Sequence, residues 1–147
     1  MATVVNDIHG QLSRTNVARI ARPDSIEALR RVLDRAQRGN QSIALSGGRH
    51  AMGGQQFATN SVLVDTRRLN RVSAFDEDNG TITVEGGIQW PELVDWLLKA
   101  QEGKPVARTW GITQKQTGAD RMTLGGSLSA NTHGPGLSMP PLVGDIE

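Results

Sequence analysis

The chain has 147 residues and balances 16 Lys+Arg against 15 Asp+Glu for a formal net charge of +1; the length predicts one domain, and the charge balance removes the electrostatic case for a nucleic-acid or anionic-membrane partner. It contains no cysteine, which excludes disulfides, thiolate nucleophiles, zinc–thiolate sites and iron–sulfur clusters within the chain. Two Phe, three Trp and no Tyr are too few rings for a base-stacking surface, and with neither an apolar run of about 18 residues nor a secretory leader the expectation is a cytoplasmic protein.

Residues 1–16 read as an N-terminal extension, with His9 on the surface. Val17–Arg22 alternates weakly and stops at Pro23, which predicts one short strand. Asp24-Ser25-Ile26-Glu27 has capping-box spacing with Asp24 as N-cap, and Ile26, Leu29, Val32, Leu33 and Ala36 share a helical face until Gly39-Asn40. Ser42–Ser46 reads as a short buried strand and Ser61–Asp65 as another. Val72–Phe75 and Thr81–Val84 flank Asn79-Gly80, a hairpin signal. Pro91 suits the first turn of a second helix whose Leu93, Trp96, Leu97 and Ala100 share a face up to Gly103, so Trp96 is a core residue. From Pro105 to Asp120 there is no periodicity. Leu124–Ala130 is small and glycine-led, a turn into a short packed helix; His133-Gly134-Pro135-Gly136 and Pro140-Pro141 are loops. Val143–Glu147 reads as the start of an apolar strand rather than a tail, so the chain is expected to be a fragment. The elements add up to an α+β class.

Two glycine-rich loops carry the chemistry. Gly47-Gly48-Arg49-His50-Ala51-Met52-Gly53-Gly54-Gln55 follows a strand, where backbone N–H groups can cradle an anion. No Gly-Lys-Ser/Thr follows, which argues against a Walker-type NTPase, and the spacing is not the dinucleotide-binding G-x-G-x-x-G. The second loop, Thr123–Gly134, has small residues that let the chain lie flat against a planar ligand or a neighbouring strand. Gly126-Ser127-Leu128-Ser129 lacks the final glycine of a nucleophile elbow, so a serine hydrolase using Ser127 or Ser129 is a remote rival. Taken alone, His50 reads as a solvent-exposed bystander, His133 as a loop cap, and Arg49 as a partner of a phosphate or of a carboxylate. Lys115, Gln116, Thr117 and Asp120 suit either a cofactor-flanking or a solvated loop. Three scattered histidines do not make a metal site.

Together the two loops, in this order, resemble the PCMH-type FAD-binding domain of the vanillyl-alcohol oxidase, or FAD-linked oxidase, family. The first resembles that family's pyrophosphate loop, and Thr123-Leu124-Gly125-Gly126 through His133-Gly134 its T-[LVI]-G-G segment. The resemblance covers about residues 17–147 and implies the N-terminal subdomain of that fold, mixed small sheets with flanking helices, truncated at its C-terminus.

It implies FAD as cofactor, with the amides of Gly47, Gly48, Arg49, His50, Ala51 and Met52 on the pyrophosphate, and His50 at the position that bonds covalently to the flavin in many members. Gln55, Gly118, Asp120, Thr123 and Asn131 join the implied cofactor-binding set. Gly125, Gly126 and Ser127 would pass close to the isoalloxazine and ribityl chain, and His133 near the ring. The implied activity is oxidation of a small organic substrate by hydride transfer to the flavin, followed by reoxidation by O₂ or another acceptor. No catalytic base is identifiable. The resemblance places substrate-facing residues in a C-terminal domain or partner chain, so the isolated chain is expected to bind FAD weakly unless completed. The alternative is a noncatalytic, nucleotide-binding-shaped module serving as an interaction or regulatory subunit.

Overall fold

The structure is a computed structural model and describes residues 3–115, 119–133 and 141–146. The chain forms two compact units, one ending at Leu69 and the other beginning at Asn70.

In the first unit, β1 (Thr3–Val5) pairs antiparallel with β2 (Thr15–Val17), Thr3 opposite Val17. β3 (Arg19–Ala21), β4 (Ile43–Ser46) and β5 (Val62–Asp65) form a parallel sheet in the order β3–β5–β4. Parallel strands need a crossover connection, and helix α1 (Ile26–Arg38) lies between β3 and β4 in the chain. The central strand β5 is an unbroken apolar run, Val62-Leu63-Val64, buried throughout as a strand covered on both faces must be. Its alternating side chains serve two cores. Val62 and Val64 pack with Ala21 and with Leu29, Val32 and Ala36 of α1, whereas Leu63 packs with Val5, Val17, Ile20, Ala44 and Phe57.

Three expectations are corrected in this unit. Val17–Arg22 is not one strand: β2 ends at Val17, Ala18 donates its N–H to the Ser61 carbonyl (2.9 Å), and β3 begins at Arg19. The pairing partner changes there from β1 to β5, which a weak alternation does not reveal. β4 is not buried. It is an edge strand, and Leu45 is 60% exposed. Finally, Ser25 rather than Asp24 caps α1; Ser25 Oγ accepts from the Ala28 N–H at 3.1 Å, which leaves Glu27 one position short of the capping-box site. Leu29, Val32 and Ala36 reach the core, while Ile26 and Leu33, together on one flank of that stripe, stay exposed.

In the second unit, β6 (Val72–Asp76) and β7 (Thr81–Val84) make the expected hairpin, with a register irregularity between Val72 and Ala74. The Asp76 carboxylate accepts from the Asp78 and Asn79 N–H groups, and Gly80 closes the turn at φ +69°. A Cβ on Gly80 would lie 2.6 Å from the Trp110 ring, so glycine is required here for space as well as for backbone angle. Trp110 is held by Nε1 donating to the Glu77 carbonyl (2.6 Å) and by its N–H donating to Gln101 Oε1 (2.6 Å). The aperiodic stretch after Pro105 therefore contains a tertiary anchor.

Helix α2 (Trp90–Ala100) has a reciprocal capping box between Gln89 and Glu92. It buries Trp90, Leu93 and Leu97, and Trp96 meets Phe75 edge-on at 5.9 Å. Ile88, Trp90, Leu93 and Leu142 form the core of this unit with Val84, Ile112, Met122 and Leu124 around them. α3 (Leu124–Ser129) is the short helix expected. Leu142–Asp145 is a 3₁₀ turn, not the start of a strand: Leu142 is buried in the core, and Gly144 donates its N–H back to the Pro141 carbonyl. The architecture is the α+β arrangement of small sheets and flanking helices that the sequence predicts. Among the described residues no helix is long and apolar enough to cross a membrane.

Candidate functional site

The first loop leaves the C-terminal end of β4, the end of a parallel strand at which ligands of such sheets bind. Four of its carbonyls are occupied. Arg49 O accepts from the Ile8 N–H (3.1 Å), Met52 O from Ser13 Oγ (3.2 Å), Ala51 O from Gln56 Nε2 (2.9 Å) and Gly54 O from the Phe57 N–H (2.9 Å). None of the N–H groups from Gly47 to Gln55 donates to a described residue. A loop tethered through its carbonyls with its amides uncommitted is a surface built to receive an anion. Arg49 sits within it at φ +61°, a left-handed angle that costs a non-glycine residue about 1–2 kcal/mol. Gln55 folds over Gly53, where a Cβ would meet its Oε1 at 2.8 Å, and Met52 is exposed.

Beneath the loop lies a charge cluster. Arg22 follows β3, Arg49 follows β4, and Asp65 and Arg67 stand at the end of β5; because the three strands are parallel, these positions converge. Asp65, 1% exposed, accepts from Arg67 Nε (2.9 Å) and Nη2 (2.6 Å), with Arg22 Nε at 3.6 Å and Arg49 Nη2 at 3.7 Å. Burial pushes the Asp65 carboxyl up, but the Arg67 hydrogen bonds and charge, with help from Arg49, outweigh it and hold the group below the ordinary carboxylate range. Burial lowers the Arg49 pKa, Asp65 opposes that, and Arg67 and Arg22 add to the lowering. The Arg67 guanidinium is raised by its hydrogen bonds to Asp65. One carboxylate among three guanidiniums leaves an excess of positive charge beside the uncommitted amides.

His50 is half-buried. Its Nδ1 lies 3.0 Å from His9 Nε2, one ring donating and the other accepting, with ring centroids 5.1 Å apart. His50 Nε2 and Arg49 Nε are buried with no hydrogen-bond partner among the described residues. His9 is exposed as expected, yet it is the residue that orients His50. Sequence reasoning missed Asp65, Arg67 and Gln56. The available signal was an acid terminating the apolar run Val62-Leu63-Val64, with an arginine two residues on.

The second loop belongs to the second unit and is organised differently. Thr123 caps α3, its Oγ1 accepting from the Gly126 N–H at 3.2 Å, while Leu124 and Gly125 donate to the carbonyls of Ile88 (2.9 Å) and Gly86 (2.8 Å). A Cβ on Gly125 would stand 2.9 Å from the Gly86 oxygen, so this glycine permits a close backbone approach. Asn131 follows the helix at φ +48°, a left-handed residue of the kind that ends helices. The Ser127 carbonyl accepts from the Thr132 N–H (3.0 Å) and Oγ1 (3.1 Å). Ser127 is completely buried, which removes it as a hydrolytic nucleophile, and among the described residues Ser129 makes no side-chain hydrogen bond to a histidine. Asp120 is exposed and paired with Lys115, whose hydrogen bond and charge lower its pKa. His133 bridges to Pro141 through the backbone. Gly118 lies outside the described residues, as do Gln116, Thr117, Gly134, Pro135, Gly136 and Pro140.

Residues 17–146 match the family model for the FAD binding domain, nearly the whole chain and both loops. The chain belongs to the FAD binding domain family. FAD is therefore its cofactor, and the residues present fit it, since the first loop offers uncommitted amides, surplus positive charge and two orphaned buried nitrogens. The chain is 33% identical over 119 residues to an uncharacterised oxidoreductase of the fasciation locus of Rhodococcoides fascians and 28% identical over 116 residues to L-gulonolactone oxidase of Bos taurus. In each case the match takes in 78% of this chain and 24% of the relative. Among solved structures, alkyldihydroxyacetonephosphate synthase superposes with a TM-score of 0.66 at 27% identity, over 78% of this chain and 20% of that one. Cholesterol oxidase from B. sterolicum, at 18% identity and a TM-score of 0.62 over 91% of this chain and 24% of that one, shares the fold. The chain thus spans about a quarter of the length of the relatives it matches.

Proposed function

We propose that this chain is the FAD-holding part of an FAD-linked oxidase or dehydrogenase of the vanillyl-alcohol oxidase type that oxidises a small organic substrate. Residues 1–16 are an extension, and 17–147 are the N-terminal portion of the FAD-binding domain. Substrate-facing groups come from a further domain or a partner chain; the quarter-length match to oxidoreductase relatives supports this. The observation that carries the reading is the loop Gly47–Gln55, tethered through four of its carbonyls and with its amides uncommitted around Arg49.

Bound FAD supplies the two-electron chemistry by accepting a hydride from the substrate. The amides of Gly47 to Met52 hold the pyrophosphate, and Arg49 contributes a partly desolvated positive charge that water screens poorly. His9 fixes the ring of His50 through Nδ1, leaving Nε2 directed at the cofactor as a contact or as the point of covalent attachment. Asp120, Gly125, Gly126, Asn131 and His133 form the surface along the ribityl chain and ring, backed by the buried Thr123 and Ser127.

The test is an absorption spectrum of the full-length protein before and after acid precipitation. A flavin spectrum is expected. Yellow colour that stays in the pellet and is lost in His50→Ala establishes covalent attachment, whereas yellow in the supernatant keeps the FAD assignment and reduces His50 to a contact. A colourless protein that cannot be reconstituted with FAD overturns the proposal.

A further inference from the structure

α1 carries Arg30, Arg31, Arg35 and Arg38 against only Glu27 and Asp34. Among the described residues, neither these four arginines nor Arg19 of β3 has an ion pair within 4.0 Å or a side-chain hydrogen bond. Glu27 stands one turn before Arg31, at a spacing that normally favours pairing, yet forms no such pair. Three of the five arginines, Arg19, Arg31 and Arg35, instead line one groove of about 190 Å³ with Ala28 and Val32. Arg19 Nη2 is buried without a hydrogen-bond partner among the described residues.

Like charges one turn apart on a helix, as Arg31 and Arg35 are, destabilise it, and a buried guanidinium N–H without an acceptor adds a desolvation cost. Both costs are relieved by one anionic acceptor in the groove. We infer that the groove between β3 and α1 is a binding site for a phosphate group. Planar guanidinium forks match phosphate oxygens in bidentate pairs, and Ala28 and Val32 offer apolar surface to whatever the phosphate is attached to. The site is separate from the Gly47–Gln55 loop, shares no residue with it, and does not depend on the function proposed above.

The experiment uses the full-length protein saturated with FAD, so that the pyrophosphate loop is filled, at constant ionic strength. Inorganic phosphate and phenyl phosphate are titrated and followed by ³¹P line broadening. Saturable binding is expected, weakened at least tenfold in Arg31→Gln/Arg35→Gln. Arg30→Gln/Arg38→Gln removes the same charge from the same helix outside the groove and is expected to change affinity less than twofold. Tighter binding of phenyl phosphate identifies a phosphate ester as the natural ligand, and equal binding identifies the free ion. Absence of saturable binding, or equal losses in the two double variants, overturns the assignment. All four arginines are on the exposed surface of α1, and a thermal melt of each variant confirms that it is folded.

Discussion

Replacing Asp65 with Asn tests the charge cluster beneath the first loop. The substitution keeps size and one carbonyl acceptor but deletes the charge that Arg22, Arg49 and Arg67 share. Breaking a fully buried pair costs about 3–5 kcal/mol, and an exposed pair contributes about 0–1 kcal/mol. Asp65 is almost wholly buried, but the Arg67 and Arg22 side chains are 44% and 47% exposed and only Arg49, at 18%, is well covered. Solvent screening therefore places the expected loss between those limits, at about 2–3 kcal/mol. With a urea m-value of about 2 kcal/mol/M, the midpoint should fall by about 1 M. The pH dependence follows in sign. The Asp65 carboxyl is held below the ordinary aspartate value of 3.8, so its stabilisation is complete above that value and is lost as pH falls through the folded-state pKa. The gap between wild type and Asp65→Asn should be constant from about pH 5 to 8 and close in acid below about pH 4. A midpoint shift below about 0.3 M, or a gap that widens on acidification, would refute the reasoning. FAD affinity should fall in the same variant, because Arg49 loses the partner that fixes its side chain.

Gly125→Ala gains helix propensity of about 1 kcal/mol, but its Cβ meets the Gly86 carbonyl oxygen at 2.9 Å, and that backbone cannot move cheaply; a net loss of about 1–2 kcal/mol is expected by thermal melt, and a neutral result would show that α3 can shift. Leu63→Ala empties the centre of one core and should cost about 3–4 kcal/mol in a urea titration, whereas Leu45→Ala on the exposed edge strand should change stability by under about 0.5 kcal/mol. Ser25→Ala removes the α1 cap and should cost about 1 kcal/mol by chemical denaturation; no change there would return the capping role to Asp24.

What was legible in the sequence was encoded locally. Asn79-Gly80 between two alternating runs specified the hairpin, because the left-handed angle it needs is a property of those residues alone. The 3.6-residue spacing in α1 and α2, and the glycines after β4, were readable for the same reason. The anion-cradling character of the first loop was likewise visible, since an amide-lined loop is rich in small residues; FAD itself was implied only by the resemblance of the two loops to a known family.

Tertiary structure decided the rest. Whether Leu45 is covered depends on β4 being the edge rather than the middle of the sheet, and no window of sequence states the order β3–β5–β4. The same order gathers Arg22, Arg49, Asp65 and Arg67, each of which looks like an ordinary polar residue after a strand. Trp110 lies in a stretch without periodicity because its partners, Glu77, Gly80 and Gln101, are distant in sequence. Periodicity and turn chemistry act over one or two turns of chain. Burial and ion pairing depend on which chain ends a sheet brings together, and that is settled only when the strands pair.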